Sequence, residues 1–241
     1  MRKKLALVVD SRLSLMIDNA VFQCRPPERV EERPKKVRST LDLFVRKLLQ
    51  HDLSKASVDR ILELLLKFDW QNEMIFKMMT KRFSKVWKLK YSQLDCAAFI
   101  CTELSNFYPQ FGINVLDDIV DYIQVGMERN IFRENQQRIA VVKYLGELYN
   151  FRMIDSSLIF DVLYLILTYG YGRYYALTFT ENNMPLPDAL CSIDSKSDFF
   201  RVRLCCTLLE TCGRYFKRGF NAKKLDKFLI FLQVRTLIYD F

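Results

Sequence analysis

A chain of 241 residues, half of them apolar and 14% aromatic, is long enough to bury a sizeable core and too apolar to be a disordered tail. Seven glycines and six prolines are few for a fold of many tight turns, which argues against an all-β architecture and for helices. The net charge of +9 suits acidic partners such as nucleic acid, yet residues 91–135 hold only 2 Lys+Arg against 7 Asp+Glu. That acidic island in a basic chain points to a second partner that is itself basic.

Ser11–Cys24 places Leu13, Met16, Ile17, Ala20 and Val21 at helical spacing behind a Ser11 N-cap, and Arg25-Pro26-Pro27 ends it. A charged connector, Glu28–Arg38, follows. Helices are then expected over Ser39–His51, over Lys55–Phe68 with Ser57 as N-cap, and over Gln71–Lys88 with Met74, Ile75, Met78, Met79 and Val86 buried. Ser92–Tyr108 is the next, stopped by Pro109, with Gly112 separating it from an acidic helix, Ile113–Glu128. Asn135–Arg152 and the nearly all-apolar Ser156–Tyr169 read as the centre of the core. Gly170–Ser197 has no sustained period and reads as a long excursion. Phe199–Phe216 and Leu225–Thr236 complete the set. About ten helices with short turns predict an all-α fold, antiparallel pairs stacked as a HEAT-like α-solenoid across residues 1–241, with a loop at 170–198. The chain ends at Phe241 directly after an apolar helix with no capping element, which predicts that the stack continues beyond it.

Much chemistry is missing. One histidine, His51, cannot build a Cys/His zinc site or a Ser-His-Asp triad, and it reads as a surface residue at a helix end. The seven cysteines are scattered without C-x-x-C spacing, a pattern of reduced thiols, and Cys205, Cys206 and Cys212 read as core packing. Gly170-Tyr171-Gly172 follows a helix and lacks the third glycine of a dinucleotide fingerprint. The expectation is a protein that is no enzyme and needs no cofactor or metal. Leu5–Val9 is too short for a secretory core, and Leu158–Tyr169, broken by Asp161, falls well short of the roughly 20 residues of a membrane span. The expected setting is the soluble cytoplasm, the perinuclear region included.

Two signals remain. At about 100° per residue, Asp121 lies about 40° from Asp117 and Glu128 about 20° from it. The three form one stripe roughly 16 Å long, suited to a row of Lys/Arg on a partner. Asp118 points about 100° away and is left out. The plainer account is that these carboxylates favour the helix dipole or are ordinary solvated surface. The second signal is Lys77, Lys81, Lys85 and Lys88, a lysine face for phosphate backbones, which basic groups at Arg25–Arg38 and Arg214–Lys227 extend. Its plain alternative is a solvated helix face.

The run NQQRIAVVKYLGELYNFRMIDSSLIFDVLYLI at Asn135–Ile166 resembles the middle domain of eukaryotic translation initiation factor four-G, a helical-repeat fold. With MIDNAVFQC at Met16–Cys24, VRKLLQHDLSK at Val45–Lys55 and FFRVRLCCTLLETCGRYFKRG at Phe199–Gly219, the chain looks like the third such domain of the up-frameshift-two family, scaffolds of nonsense-mediated mRNA decay. The resemblance implies that an acidic helix binds the RRM-like domain of up-frameshift protein three, the matching positions being Asp117, Asp121 and Glu128. It also implies contacts with RNA and with the surveillance-complex kinase. The Gly170–Ser197 loop departs from the family pattern.

Overall fold

The computed structural model describes residues 11–24, 39–170 and 198–239. The Glu28–Arg38 connector, the basic group at Arg25–Arg38 and residues 171–197 of the excursion lie outside the described residues. Contacts divide the chain into two units, Met1–Ser39 and Thr40–Phe241. The first holds α1 (Ser11–Cys24), whose apolar Leu13, Met16, Ile17 and Val21 are exposed.

The second unit holds α2 (Thr40–Lys47), α3 (Val58–Leu66), α4 (Glu73–Ser84), α5 (Leu94–Phe107), α6 (Pro109–Arg129), α7 (Asn135–Asn150), α8 (Ser156–Thr168), α9 (Phe200–Cys212) and α10 (Gly219–Tyr239). No strand occurs among the described residues. Packing skips one helix at a time. The odd-numbered helices α3, α5, α7 and α9 lie side by side in one layer, and α4, α6, α8 and α10 in the other. Apart from the long stretch 169–199 between α8 and α9, the connections are short and fold each helix back on the one before, so the two layers are the two halves of stacked helical hairpins. This is the expected HEAT-like α-solenoid. α7 is its spine, in contact with α5, α6, α8 and α9. Its Val141, Leu145 and Leu148 are fully buried, in one core with Ile100 and Leu104 of α5 and Leu204 and Leu208 of α9. Each such side chain contributes about 1.5–3 kcal/mol through burial.

Where helices end differs from the sequence expectation, for local reasons. α2 runs on into a π turn, Leu48–Asp52. The carbonyls freed there are taken by side chains, Ser57 Oγ donating to Asp52 O at 2.6 Å and Gln93 Nε2 to Leu53 O at 2.7 Å. Ser57 occupies the N-cap position of α3 but spends its hydroxyl on that turn. α4 stops at Ser84 rather than Lys88; Lys85 leaves helical geometry so that Val86 is buried and Trp87 stacks on Tyr122 at 4.3 Å. Met74, expected inside, is 82% exposed. Gly112 does not separate two helices. α6 starts at Pro109, where a missing N–H costs nothing, and Gly112 lies buried within it. A Cβ there would sit 2.6 Å from the Ser105 Cβ, so the glycine sets how closely α5 and α6 cross. α9 gives way to a 3-10 turn at Gly213–Phe216. α10 begins at Gly219, six residues before the expected Leu225, because Gly219 takes φ +68 and starts the helix from a left-handed bend. Cys205 and Cys212 are core residues as expected, whereas Cys206 is exposed, and so is His51.

Candidate protein-docking face

α6 is an unbroken helix of 21 residues, held on its inner side by Phe111, Val115, Ile119, Ile123 and Met127, all buried. Gly126 faces the Arg138 side chain, and the Tyr122 hydroxyl donates to Gln137 Oε1 at 3.1 Å. At its end Asn130 adopts the left-handed conformation (φ 41, ψ 46) and donates its N–H to Gly126 O at 3.2 Å. Asn130 Oδ1 accepts from Arg138 Nη1 at 2.9 Å, which ties the cap to α7. The outer face is therefore carried on a fixed support.

Asp117, Asp121 and Glu128 are all exposed on that outer face. Gln124 stands among them, about 20° from Asp117 on the other side of the stripe, and Ile113 precedes them by one turn. No salt bridge to any of the three occurs among the described residues. Arg129, in the last turn, lies about 120° round from Asp117, at the helix end where a cation is favoured by the dipole. Asp118 has a different task. Its Oδ2 is 2.7 Å from Ser84 Oγ, which joins α6 to the end of α4. Solvated carboxylates with no neutralising neighbour leave a local negative potential that a partner's basic side chains can fill without first breaking an internal pair.

The lysines are arranged otherwise. Lys77 and Lys81 are exposed on α4, and Lys77 is paired with Glu73 one turn earlier. Lys85 is half-buried in the break after Ser84, and Lys88 lies in the 3-10 turn Val86–Lys88. The four do not form a single row on one helix. Spacing arithmetic holds only while the helix continues, and the buried Val86 is what interrupts it. Arg82, between them, is committed to Asp42 of α2, Nε donating to Oδ1 at 2.6 Å.

Among the described residues no group of three or more His, Cys, Asp or Glu is placed to hold a metal, and no helix is long and apolar enough to cross a membrane.

Among the described residues the chain is a helical solenoid of the HEAT-like class with an exposed acidic stripe on α6. The MIF4G domain model matches residues 43–239, and the chain belongs to the MIF4G-domain family. It is 38% identical over 234 residues to Regulator of nonsense transcripts 2 of Homo sapiens, covering 97% of this chain and 17% of that protein. It is 41% identical over 233 residues to Regulator of nonsense transcripts UPF2 of Arabidopsis thaliana, with 97% and 18% covered. To Nonsense-mediated mRNA decay protein 2 of Schizosaccharomyces pombe it is 29% identical over 241 residues, with 98% and 21% covered. The chain therefore spans about a fifth or less of the length of these relatives.

Proposed function

We propose that this chain is a non-enzymatic scaffold module of the nonsense-mediated mRNA decay machinery, and that it docks the RRM-like domain of up-frameshift protein three on Asp117, Asp121 and Glu128. The observation that carries the reading is the alignment of three exposed carboxylates on one continuous helix, with no cation paired to them among the described residues. The names of the relatives and the resemblance of the Asn135–Ile166 run supply the setting. Because the relatives align over 97% of the chain, residues 1–241 are taken to act as one module, equivalent to the third such domain of those scaffolds. In this reading it works in the cytoplasm, takes no small-molecule substrate, and has the surveillance-complex kinase as a further partner.

The test is capture of a purified RRM-like domain by the 241-residue chain. Glu128→Arg puts a cation against one end of the partner's basic row and is expected to abolish capture, while far-ultraviolet circular dichroism stays unchanged because Glu128 is exposed. Capture at wild-type strength by Glu128→Arg removes the acidic stripe from the account. The alternative, RNA held by Lys77, Lys81, Lys85 and Lys88, draws on two exposed lysines of α4 but lacks a continuous face.

A further inference from the structure

The acidic stripe of α6 gives way at its C-terminal end to apolar side chains. Glu128, its last carboxylate, stands one residue before the end of the helix. Around that point Val125 is 37% exposed, Ile131 42% and Phe132 87%. Phe132 is the most exposed large apolar side chain among the described residues. One apolar residue on a surface is ordinary and needs no explanation. Three gathered where a row of carboxylates stops give this end of α6 a second chemical character.

The turn that carries Phe132 is fixed at both ends by one buried side chain. Arg138 of α7, 3% exposed, donates from Nη1 to Asn130 Oδ1 at 2.9 Å and to Asn135 Oδ1 at 3.2 Å. These two asparagines flank residues 131–134. Between them the Glu134 N–H donates to Ile131 O at 2.9 Å and closes the 3-10 turn Phe132–Glu134. The clamp is itself seated, because the Arg138 guanidinium carbon lies 4.5 Å from the centre of the Phe200 ring on α9. A rigid backbone that leaves a flat apolar ring bare is the arrangement of an interface anchor. Little freedom remains to be lost when a partner closes over it.

Charge determines what this anchor meets. Asp117, Asp121 and Glu128 attract cations, whereas Arg129 and Arg133, both exposed and on either side of Ile131 and Phe132 in the chain, repel them. A partner's basic row must therefore stop where Glu128 does, and the surface beyond it must be apolar. We propose that Phe132, with Ile131 and Val125, is the apolar anchor of the docking face, seated in an apolar socket beside the last cation of the basic partner's row. This rests on the docking of a basic domain along α6. The carboxylates select the partner by charge and set its approach, and the anchor supplies a part of the affinity that salt does not screen. It also sets the register. A partner displaced by one turn along α6 would leave Phe132 out of its socket and bring a cation against Arg129 or Arg133.

Isothermal titration calorimetry of a purified RRM-like domain into the 241-residue chain, at about 0.1 M and about 0.3 M salt and at several temperatures, tests this. Phe132→Ala is expected to weaken binding by about tenfold or more, by the same factor at both salts, and to make the heat-capacity change of binding less negative. The loss in Glu128→Gln should instead shrink as salt rises, with the heat-capacity change kept. Phe132 is exposed, so circular dichroism should not change. Wild-type affinity in Phe132→Ala, with binding abolished in Glu128→Arg, overturns the anchor and leaves the acidic stripe standing. Wild-type affinity in Glu128→Arg, or no binding by the wild-type chain, removes the stripe and the anchor with it. A loss in Phe132→Ala that shrinks with salt as in Glu128→Gln also overturns the proposal, since the ring would then act through the carboxylates. Self-association of the chain that Phe132→Ala dissolves, followed by sedimentation velocity, would give the patch to a second copy and overturn it too.

Discussion

At the scale of single residues, the core of this solenoid keeps its buried thiols and the Tyr144 hydroxyl neutral. Burial pushes the Cys101 thiol up to about 12, with a neighbouring contact to the Tyr144 side chain pulling slightly the other way. Tyr144 is also fully buried, and its hydroxyl is raised well above its ordinary value, first by burial and then by Cys101. Cys212 is likewise raised to about 12 by burial, with Glu147 adding to the effect. A thiol in the unfolded chain loses its proton near pH 8.5. Between that pH and about 12 the folded chain retains protons that the unfolded chain has released, so raising the pH favours unfolding. The contribution of these groups is complete below about pH 8.5 and disappears as the pH climbs towards 12. Each such thiol makes stability fall by about 1.4 kcal/mol per pH unit inside the window. Urea unfolding at pH 8, 9, 10 and 11 is expected to show that decline. Cys101→Ala should lower stability at pH 8, because it leaves a small cavity, yet make the decline shallower by about one proton. A slope the same as wild type would mean that Cys101 does not take part.

At the scale of elements, the layers are set by two glycines whose purpose lies in packing. Gly146 of α7 faces α9, where an added Cβ would lie 2.9 Å from both Cβ and Cγ2 of Thr211 and 3.2 Å from Leu208 Cδ1. Alanine would gain about 1 kcal/mol of helix propensity. The Thr211 Cβ, however, is fixed to its backbone and cannot rotate aside, so the helices must part. Parting also strains the hydrogen bond from Asn150 Nδ2 to Thr211 O, 3.1 Å. Overpacking exceeds propensity here, and Gly146→Ala is expected to cost about 1–2 kcal/mol net in urea unfolding. Thr211→Ser should rescue little of this, because the Cβ stays in place; full rescue would refute the steric account. The same reasoning shows what the sequence could convey. Period and capping placed nearly every helix, and on α6 the angular arithmetic put Asp117, Asp121 and Glu128 on one open face, as found. The role of Gly112 is not legible in the sequence, because a glycine that breaks a helix and one that allows a close crossing are the same letter. The breaks at Leu48–Asp52, Val86–Lys88 and Gly213–Phe216 depend on partners far along the chain, such as Tyr122 for Trp87 and Phe160 for Phe216. Local pattern cannot report them, and the lysine row failed at one of these breaks.

At the scale of the whole molecule, a basic chain presents an acidic face, and this shapes how a basic partner is met. The chain carries a net +9, while residues 91–135 carry a net −5 from 2 Lys+Arg and 7 Asp+Glu. At about 0.01 M salt the Debye length is roughly 30 Å, so an approaching basic domain senses most of the chain and is repelled. At about 0.1 M it is roughly 10 Å, shorter than the roughly 16 Å stripe, and only the carboxylates of α6 are felt at close range. At about 1 M it is roughly 3 Å, and the stripe is screened as well. The association rate of a basic RRM-like partner should therefore rise from about 0.01 to 0.1 M salt and fall again towards 1 M. Ordinary electrostatic steering between oppositely charged molecules gives only a fall. Stopped-flow measurement of the association rate across that range separates the two. In Glu128→Arg the attractive limb should vanish, leaving a rate that increases with salt throughout, because the long-range repulsion is all that remains. A wild-type rate that decreases steadily from the lowest salt would show that the partner is steered by something other than the balance between the acidic face and the basic body that carries it.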